Sequence, residues 1–212
     1  MTLAQASPPV RAPSLAVRLA ALAEQAPLAR TLARAFDQDP MINWLLRQDA
    51  GRARAFRRFF NIAIGRMAQP HNLVFTTASL DGAALWLPPG KWRMGLWRQL
   101  QLLPAMASSV GYRRVPGVMA GISAFDQQHP REAHYYLFLL GVEPACQGKG
   151  VGSALLGPVL ARCDAEGMPA YLETANPRNL PLYERHGFRV QREFTVPRGG
   201  PLNWLMWREA RV

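Results

Sequence analysis

The chain has 212 residues, of which 49% are hydrophobic and 18% charged, and its formal net charge is +11. This length predicts one globular domain with its own core rather than two domains. The longest apolar runs, such as 135–142, are far shorter than the roughly 20 residues of a membrane span, and no repeat period is present, so composition excludes membrane-spanning and repeat architectures.

The positive charge does not by itself indicate a nucleic-acid partner. All basic residues except Lys91 and Lys149 are arginine, and they are scattered along the chain rather than gathered in a stripe with interleaved aromatic residues. A positive field would help to capture an anionic cofactor. We therefore expect small-molecule partners, no membrane and no nucleic acid, in a monomer or homodimer.

The cysteines and the N-terminus predict the compartment. Cys146 and Cys163 lack metal-ligand spacing and form no disulfide framework, so we expect no metal and a reducing, cytoplasmic location. Residues 1–13 lack the continuous apolar stretch of a signal peptide, and we interpret them as a flexible tail before a single domain at 14–212. The tail is acid-poor, which leaves an organelle transit peptide open as an alternative.

The first half of the chain is predicted to be mainly helical. Apolar residues recur at helical spacing from Ser14 to Leu46, interrupted by Pro27 and by a bend at Asp39-Pro40. Two strands are predicted to be joined by a turn at Asp81-Gly82. The predicted helices are 15–25, 28–36, a segment after Pro40, 52–67, 92–110 and 115–128, and the predicted strands are 71–78 and 80–90.

In the second half, strands and helices alternate. The predicted strands are 134–142, 170–175, 187–196 and 202–208, and the predicted helices are 150–166 and 179–185. A strand, helix, strand order at this spacing predicts a partly parallel α/β sheet.

A glycine-rich loop, "QGKGVG" at 147–152, lies between a predicted strand and a predicted helix. Glycines at this place let backbone N–H groups approach an anion at a helix N-terminus. A Walker A loop would need glycine at Glu143 and serine or threonine at Gly150, and a dinucleotide fingerprint would need glycine at Ser153 or Leu155. The loop is therefore predicted to bind a pyrophosphate of another kind.

Three phrases together resemble the GCN5-related N-acetyltransferases (GNAT family). The strand ends in "LGVEP" at 140–144, and the loop follows as Gln147, two residues, then Gly150-Val151-Gly152. Downstream, an asparagine precedes by seven residues a tyrosine that is followed by Gly-Phe, here Asn176, Tyr183 and 187–188. The segment 134–207 looks closest to puromycin N-acetyltransferase and related small-molecule enzymes, whereas 14–133 matches only loosely.

The resemblance implies a mixed central sheet, splayed between strands 4 and 5, with helices on both faces and an acetyl-CoA-binding core at 134–188. Free N–H groups at the strand end would bind the pantetheine amides and the thioester carbonyl, and the glycine loop would bind the pyrophosphate. The residues assigned to the cofactor are Leu140, Gly141, Val142, Gln147, Gly148, Lys149, Gly150, Val151, Gly152, Ser153, Asn176, Asn179 and Tyr183. Asn179 has helix capping as its alternative role.

The catalytic candidates follow from the same resemblance. Tyr183 would protonate the departing thiolate, with core packing as the alternative, and Tyr136 would be the next phenol to consider. Glu173, expected at a strand end beside the cleft, is the candidate general base, with an ordinary surface carboxylate as the alternative. His134 could titrate near neutral pH, although a structural histidine is the simpler interpretation.

The acceptor is expected to enter from the opposite face of the sheet. Its candidate wall residues, each with plain core packing as the alternative, are Phe36, Asp39, Trp44, Trp86 and Trp92. Aromatic residues would suit an aromatic or apolar amine. We therefore expect direct transfer of acetyl from acetyl-CoA to a small primary amine. The alternatives are acetylation of a protein N-terminus, a lysine or a hydroxyl, and a non-catalytic module that senses acyl-CoA or binds nucleic acid.

Overall fold

A computed structural model describes residues 15–93 and 96–211. Its centre is a mixed sheet whose strands lie in the order β1-β2-β3-β4-β5-β7-β6. Neighbouring strands are antiparallel except for β4 and β5, which are parallel. The strands are β1 Val17–Leu19, β2 Val74–Thr77, β3 Gly82–Leu87, β4 Tyr135–Val142, β5 Ala170–Thr174, β6 Arg189–Thr195 and β7 Leu202–Arg208.

Helices cover both faces of this sheet, as the resemblance implied. Helices α1 and α3 contribute to an apolar cluster on one face, and α6 contributes to a second cluster on the other face. No helix in the described part of the chain is long and apolar enough to cross a membrane. The helices are α1 Gln25–Ala35, α2 Pro40–Leu45, α3 Arg52–Ile62, α4 Leu96–Val110, α5 Val115–Asp126, α6 Val151–Glu166 and α7 Leu180–Arg185.

The predicted helix at 15–25 is wrong. Val17–Leu19 instead forms β1, which pairs with β2, and a short 3₁₀ turn, Leu22–Glu24, follows it. The helix α1 then begins at Gln25 and contains Pro27 in its first turn. A proline is tolerated there because the first N–H groups of a helix have no intrahelical partner, so Pro27 does not interrupt the helix as predicted.

Two further boundaries differ from prediction. The turn between β2 and β3 does not lie at Asp81-Gly82, because Leu80 adopts a φ of 59° and its N–H donates to the Thr77 carbonyl at 3.1 Å. Gly82 is already in β3. Trp92 lies before α4 rather than inside it, whereas the helix predicted at 52–67 is found as α3 followed by a π-helical segment, Ala63–Ala68. The elements predicted in the second half are confirmed within a few residues.

The sheet opens between β4 and β5, which confirms the predicted splay. These strands pair only from Tyr135 opposite Ala170 to Leu137 opposite Leu172, although β4 continues to Val142. On its other edge, β4 carries a bulge at Phe138, because Leu139 pairs with Leu85 and Leu137 pairs with Trp86. A bulge bends a strand and ends regular pairing. We call the opening beyond Leu137 and Leu172 the fork.

Candidate active site

The glycine loop presents unpaired donors at the start of α6. Gly148 and Gly150 have φ values of 73° and 82°, in the left-handed region that favours glycine. The first backbone bond of the helix is Ala154 N–H to Gly150 carbonyl at 3.0 Å, and no acceptor in the described residues takes the N–H groups of 148–153. These donors, together with the helix dipole, form a site suited to an anion.

Side chains in and around this loop make hydrogen bonds that stabilise the loop conformation. Gln147 Nε2 donates to the Val142 carbonyl at 3.2 Å, and exposed Lys149 donates through Nζ to the Ala145 carbonyl at 2.9 Å. Ser153 Oγ lies 2.9 Å from His186 Nε2. Any phosphate contact from this loop therefore falls mainly to its backbone, which is the role predicted for the glycines.

Gly141, assigned to the cofactor through its backbone, has a packing role as well. A Cβ atom at this position would lie 2.6 Å from Leu32 Cδ2 and 2.8 Å from Phe36 Cε2, so α1 could not pack as closely on β4. The neighbouring side chains of Leu140 and Val142 pack on the α6 face. On the fork edge, the backbone of 138–142 has no partner in β5.

The two asparagines before α7 divide their roles differently from the prediction. Asn176, not Asn179, provides the cap: its Oδ1 accepts from the Arg178 N–H at 3.1 Å. Asn179 immediately precedes α7 and makes no side-chain capping bond. The amide nitrogen of Asn176 is left for another partner, and the cofactor roles of both residues remain predictions.

Tyr183 lies in α7, and only 5% of the residue is exposed. Its ring packs against Phe188 with a centroid distance of 6.1 Å. Burial, and then the negative charge of Asp39, raise the pKa of Tyr183 well above its ordinary value. The phenol is thus protonated at neutral pH, as a proton donor must be. Asp39 itself caps α2 by accepting from the Ile42 N–H at 2.9 Å, and burial raises its pKa.

Glu173 has a buried side chain, which disfavours the alternative of an ordinary surface carboxylate, and its role as a base stays a prediction. It directly follows Leu172, the last residue of β5 that pairs with β4, and therefore stands at the fork. Its side chain is 7% exposed, and Oε1 lies 3.4 Å from His129 Nδ1. Burial and then the charge of Glu173 raise the pKa values of Tyr136 and Tyr171 well above their ordinary range.

Two histidines continue from this carboxylate, and one of them was missed by sequence reasoning. His129 Nε2 lies 3.1 Å from His134 Nε2, and His134 Nδ1 lies 2.7 Å from the Glu132 carbonyl oxygen. Burial lowers the pKa of His134. The sequence had given His129 no role, because a histidine in a loop before a strand carries no pattern that would associate it with a distant glutamate.

A cavity of about 660 Å³ lies beside His129. The ring of Trp92 stacks on His129 with a centroid distance of 3.8 Å, and the Arg93 guanidinium lies 4.5 Å from the Trp92 ring centroid. Burial raises the pKa of Asp126, which also faces the cavity. The lining residues are Trp92, Arg93, Asp126, Gln127, His129, Pro130 and Arg131.

The predicted acceptor wall is only partly assembled. Trp86 is wrong as a wall residue, because it is fully buried in the cluster on the α6 face. Phe36 packs against Phe60 in the opposite core, with ring centroids 5.3 Å apart. Trp44 donates from Nε1 to the Arg198 carbonyl at 3.3 Å, so it joins α2 to the loop between β6 and β7. Trp92 lines the cavity.

No group of three or more histidine, cysteine, aspartate or glutamate side chains in the described segments is arranged to hold a metal ion.

Comparison with solved structures shows the fold. A protein described as histone acetyltransferase HPA2 and related acetyltransferase, from Corynebacterium glutamicum, has a TM-score of 0.71 and 24% identity over 92% of this chain and 96% of its own. The arylalkylamine N-acetyltransferase 2 of Aedes aegypti has a TM-score of 0.62 and 12% identity over 92% of this chain and 99% of its own. At these identities the likeness concerns the fold alone.

Sequence comparison reaches further. An uncharacterized N-acetyltransferase of Schizosaccharomyces pombe is 30% identical over 182 residues, which are 80% of this chain and 72% of that protein. A mycothiol acetyltransferase of Propionibacterium freudenreichii is 44% identical over 57 residues, which are 26% of this chain but 18% of that enzyme. The model of the acetyltransferase (GNAT) family matches residues 74–188. This chain belongs to the GNAT family of acetyltransferases.

Proposed function

We propose that this protein transfers acetyl from acetyl-CoA directly to the primary amine of a small molecule. The observation that carries the proposal is the position of Glu173: a buried carboxylate at the first residue of β5 beyond its pairing with β4, at the fork. An amine attacks only when neutral, so a base at the reacting centre is required. The name of the S. pombe relative, an N-acetyltransferase, supports an amine acceptor.

The residues present fit acetyl-CoA. The unpaired N–H groups of 148–153 would hold the pyrophosphate, and the free backbone edge of β4 at 140–142 would bind the pantetheine amides and the carbonyl oxygen. When bound, acetyl-CoA supplies the thioester that is cleaved. A backbone donor aimed at the oxygen that becomes negative is worth about 3 kcal/mol of barrier.

The protein's own groups would move the protons. Glu173 takes a proton from the amine as the nitrogen forms its bond to the acetyl carbon. The carbon–sulfur bond then breaks and leaves a thiolate. Tyr183 is protonated because its pKa is raised, and it gives its proton to this thiolate. Each positioned acid or base of this kind contributes about 10² to 10⁴ in rate.

The cysteines support direct transfer without a covalent intermediate. Burial raises the pKa of Cys163 to about 12, which leaves almost no thiolate at neutral pH. Cys146 lies in the 3₁₀ turn before the glycine loop and is half-buried. Among the described residues, neither free thiol has the hydrogen-bonded base that activates a nucleophile.

The contacts among α2, α5 and the loop between β6 and β7 support a small acceptor rather than a protein substrate. Trp44 connects α2 to the loop between β6 and β7 through Arg198. On α5, a Cβ atom at Gly121 would lie 2.5 Å from the Trp44 indole, so α5 packs directly on this side chain. Three segments thus meet at Trp44, and we expect them to restrict the access of a polypeptide. Aromatic amines, including puromycin-like aminonucleosides, are the acceptor class we propose.

The experiment is an amine panel with isotopically labelled acetyl-CoA, scored by mass spectrometry. It includes puromycin, arylalkylamines, polyamines, aminoglycosides and peptides with a free N-terminus or lysine, together with hydroxyl analogues. We expect labelled amide from at least one small amine, and its loss in Glu173→Gln. Acetylation of peptides or hydroxyls alone would move the acceptor to those classes. CoA binding without turnover, or salt-dependent binding of oligonucleotides without turnover, would instead indicate a non-catalytic module.

A further inference from the structure

The side chains of Ser153 and His186 join the start of α6 to the end of α7. Ser153 lies in the first turn of α6, and its Oγ is 2.9 Å from Nε2 of His186, the residue directly after α7. The Ser153 N–H is one of the free donors assigned to the pyrophosphate. Only two carbon atoms separate the hydroxyl oxygen of a serine from its own backbone nitrogen, so an anion bound by this N–H also lies beside Oγ.

The backbone that carries the His186 ring is held by two elements. Its N–H donates to the Tyr183 carbonyl at 3.0 Å, and its carbonyl accepts from Arg208 Nε, on β7, at 2.9 Å. Arg208 is buried, and its Nη2 donates to Asp164 Oδ2, on α6, at 2.8 Å. The ring therefore has a fixed origin relative to both α6 and α7.

The charged groups around His186 favour a neutral imidazole. Burial, and then the positive charges of three arginines, lower the pKa of His186. These arginines are Arg185 on α7, Arg208 on β7 and Arg211 after β7. A neutral ring carries one hydrogen, on either Nδ1 or Nε2. Among the described residues, only Ser153 forms a hydrogen bond with this ring, so that contact decides which nitrogen carries the hydrogen.

The hydrogen bond between these two side chains has two directions. If Ser153 donates to a bare Nε2, its oxygen presents only lone pairs to a bound anion, which repel it. If Nε2 carries the hydrogen and donates, Oγ accepts, and the serine O–H is left to donate to a phosphate oxygen. An anion at the start of α6 favours the second direction, because a hydrogen bond to a charged oxygen is about twice as strong as one between neutral groups.

We propose that His186 is a positioning residue for the pyrophosphate of acetyl-CoA. Its Nε2–H donates to Ser153 Oγ and directs the serine hydroxyl hydrogen to a phosphate oxygen, which adds a side-chain donor to the backbone donors of the glycine loop. The same contact joins the pyrophosphate site to α7, the helix that carries Tyr183. The inference rests on the proposed use of acetyl-CoA and does not depend on the acceptor.

The first test is spectroscopic and needs no acceptor amine. Nitrogen-15 NMR of the full-length protein with bound CoA, at neutral pH, reports whether each ring nitrogen of His186 carries a hydrogen, and His186→Gln identifies the signals by their absence. We expect a hydrogen on Nε2 in the complex, with or without a second hydrogen on Nδ1. A bare Nε2 in the CoA complex would overturn the proposal, because the ring would then accept from Ser153.

The second test compares substitutions by their affinity for CoA, measured by calorimetry. Glutamine carries an amide N–H as many bonds from the backbone as histidine Nε2, so His186→Gln should bind CoA nearly as tightly as the wild type. His186→Phe keeps a flat ring but no donor and should bind several-fold more weakly, whereas Ser153→Ala removes the hydroxyl itself and should bind about 10-fold more weakly. In the Ser153→Ala background, His186→Phe should have no further effect, since His186 acts only through this hydroxyl.

Shortened ligands show which group of the cofactor is involved. Dephospho-CoA retains the pyrophosphate but lacks the 3′-phosphate, whereas pantetheine lacks both. We expect His186→Phe to weaken the binding of CoA and dephospho-CoA equally and to leave that of pantetheine unchanged. An equal loss with pantetheine would indicate a general structural effect, and a loss with CoA alone would place the contact at the 3′-phosphate. Either result would overturn the proposal.

The outcomes separate this inference from the proposed function. A wild type that binds no CoA would overturn both. If the wild type bound CoA no more tightly than the folded His186→Phe protein, the cofactor assignment would stand and the role of His186 would be overturned. Equal losses in His186→Gln and His186→Phe would have the same consequence, because they would show that the shape of the ring matters and its N–H does not.

Discussion

The carboxylate of Asp39, at the start of α2, lies near enough to the buried phenol of Tyr183, in α7, for its charge to raise the pKa of that phenol further than burial alone. This relationship joins the helical N-terminal half to the segment with the family motif. It also strengthens the hold of Tyr183 on its proton, so that the phenol is the protonated species at neutral pH.

Tyr183→Phe should lower kcat by about 10²-fold while the melting temperature changes little, because the ring and its packing remain and only the proton donor is lost. The matched control is Tyr135→Phe, which removes a phenol whose hydroxyl donates to Glu166 at 2.8 Å on the α6 side. We expect the control to retain its kcat. Steady-state kinetics and thermal unfolding of both variants provide the measurement, and an unchanged kcat in Tyr183→Phe would remove this residue from the mechanism.

The pyrophosphate assignment is best tested with two alanines on one helix. Gly152→Ala adds a methyl group in the first turn of α6, 3.4 Å from Leu182 Cδ2, in a conformation that alanine adopts without strain. Gly157→Ala adds the same group further along the helix, where a Cβ atom has open space. We expect weaker binding of CoA for Gly152→Ala, measured by calorimetry, and equal binding for Gly157→Ala with a gain of up to about 1 kcal/mol in stability.

A second test of the loop, Gly150→Val, carries a cost in stability that the sequence does not indicate. Gly150 adopts a φ of 82°, so a side chain there strains the backbone by about 1 to 2 kcal/mol, although the space around it is open. Loss of CoA binding is still expected, but it must be interpreted together with the measured stability of the variant. Equal CoA affinity in folded Gly150→Val and Gly152→Ala proteins would refute the loop assignment.

Gly141→Ala should destabilise the protein by about 1 to 3 kcal/mol, because the new methyl group overlaps Leu32 and Phe36 of the packed α1 region. The second substitution Phe36→Leu should relieve part of this overlap. Chemical denaturation of the wild type, both single variants and the double variant gives the coupling energy. Additive losses, with no coupling, would show that α1 adjusts and that Gly141 is not required for packing.

Acid should weaken the protein through Asp164. Its pKa is lowered chiefly by the hydrogen bond from Arg208, which donates at 2.8 Å and whose side chain is 3% exposed. A depressed carboxylate pKa means that the stabilisation is present above the unfolded-state value of about 3.9 and is lost as the pH falls through the folded-state value. The free energy of unfolding should therefore decline below about pH 4.

Asp164→Asn should cost about 3 kcal/mol at pH 7, since it leaves the buried guanidinium without its anion, and the acid-dependent decline should become shallower. Asp49→Asn is the control. The Asp49 pKa is lowered to about 2 by Arg47, but this pair is solvent-exposed and screened, so its removal should matter much less. Urea titrations between pH 2 and about pH 7 measure the free energy of unfolding of each protein and test this prediction. If the free energy of unfolding fell with pH in parallel for wild type and Asp164→Asn, this ion pair would be excluded as the source of the acid dependence.

The second half of the fold could be predicted because its signals are local. The alternation of apolar strands with an apolar helix, and the glycines before α6, each depend on neighbours in sequence, and the family phrases fix their order. The short strand β1 could not be predicted. Val17–Leu19 forms a strand because it pairs with β2, and a pattern of apolar residues over so short a stretch does not contain that partner.

The candidate site could be predicted only in part, also because some of its contacts are not local in sequence. Trp86 lies in β3, whose residues are all buried, so an alternating pattern could not show which face each side chain occupies. The sequence predicts Glu173 at a strand end beside the cleft, but not its contact with His129, because a long stretch of chain separates the two residues. Contacts of this kind arise from tertiary packing, and nothing in the neighbouring residues encodes them.

Within the described residues, only the pairing of Tyr135–Leu137 with Ala170–Leu172 joins the half-sheet β1–β4 to the half-sheet β5–β7 directly. The seam between two separately opening units of the native state is therefore expected there. A molecule that occupies the fork and contacts both strands would close that seam, and at 100 times its Kd it would add about 2.7 kcal/mol to the stability. Amide hydrogen exchange would then slow in β5 and β7 as well as in β4, so that occupancy of the fork is reported by strands that the ligand does not touch.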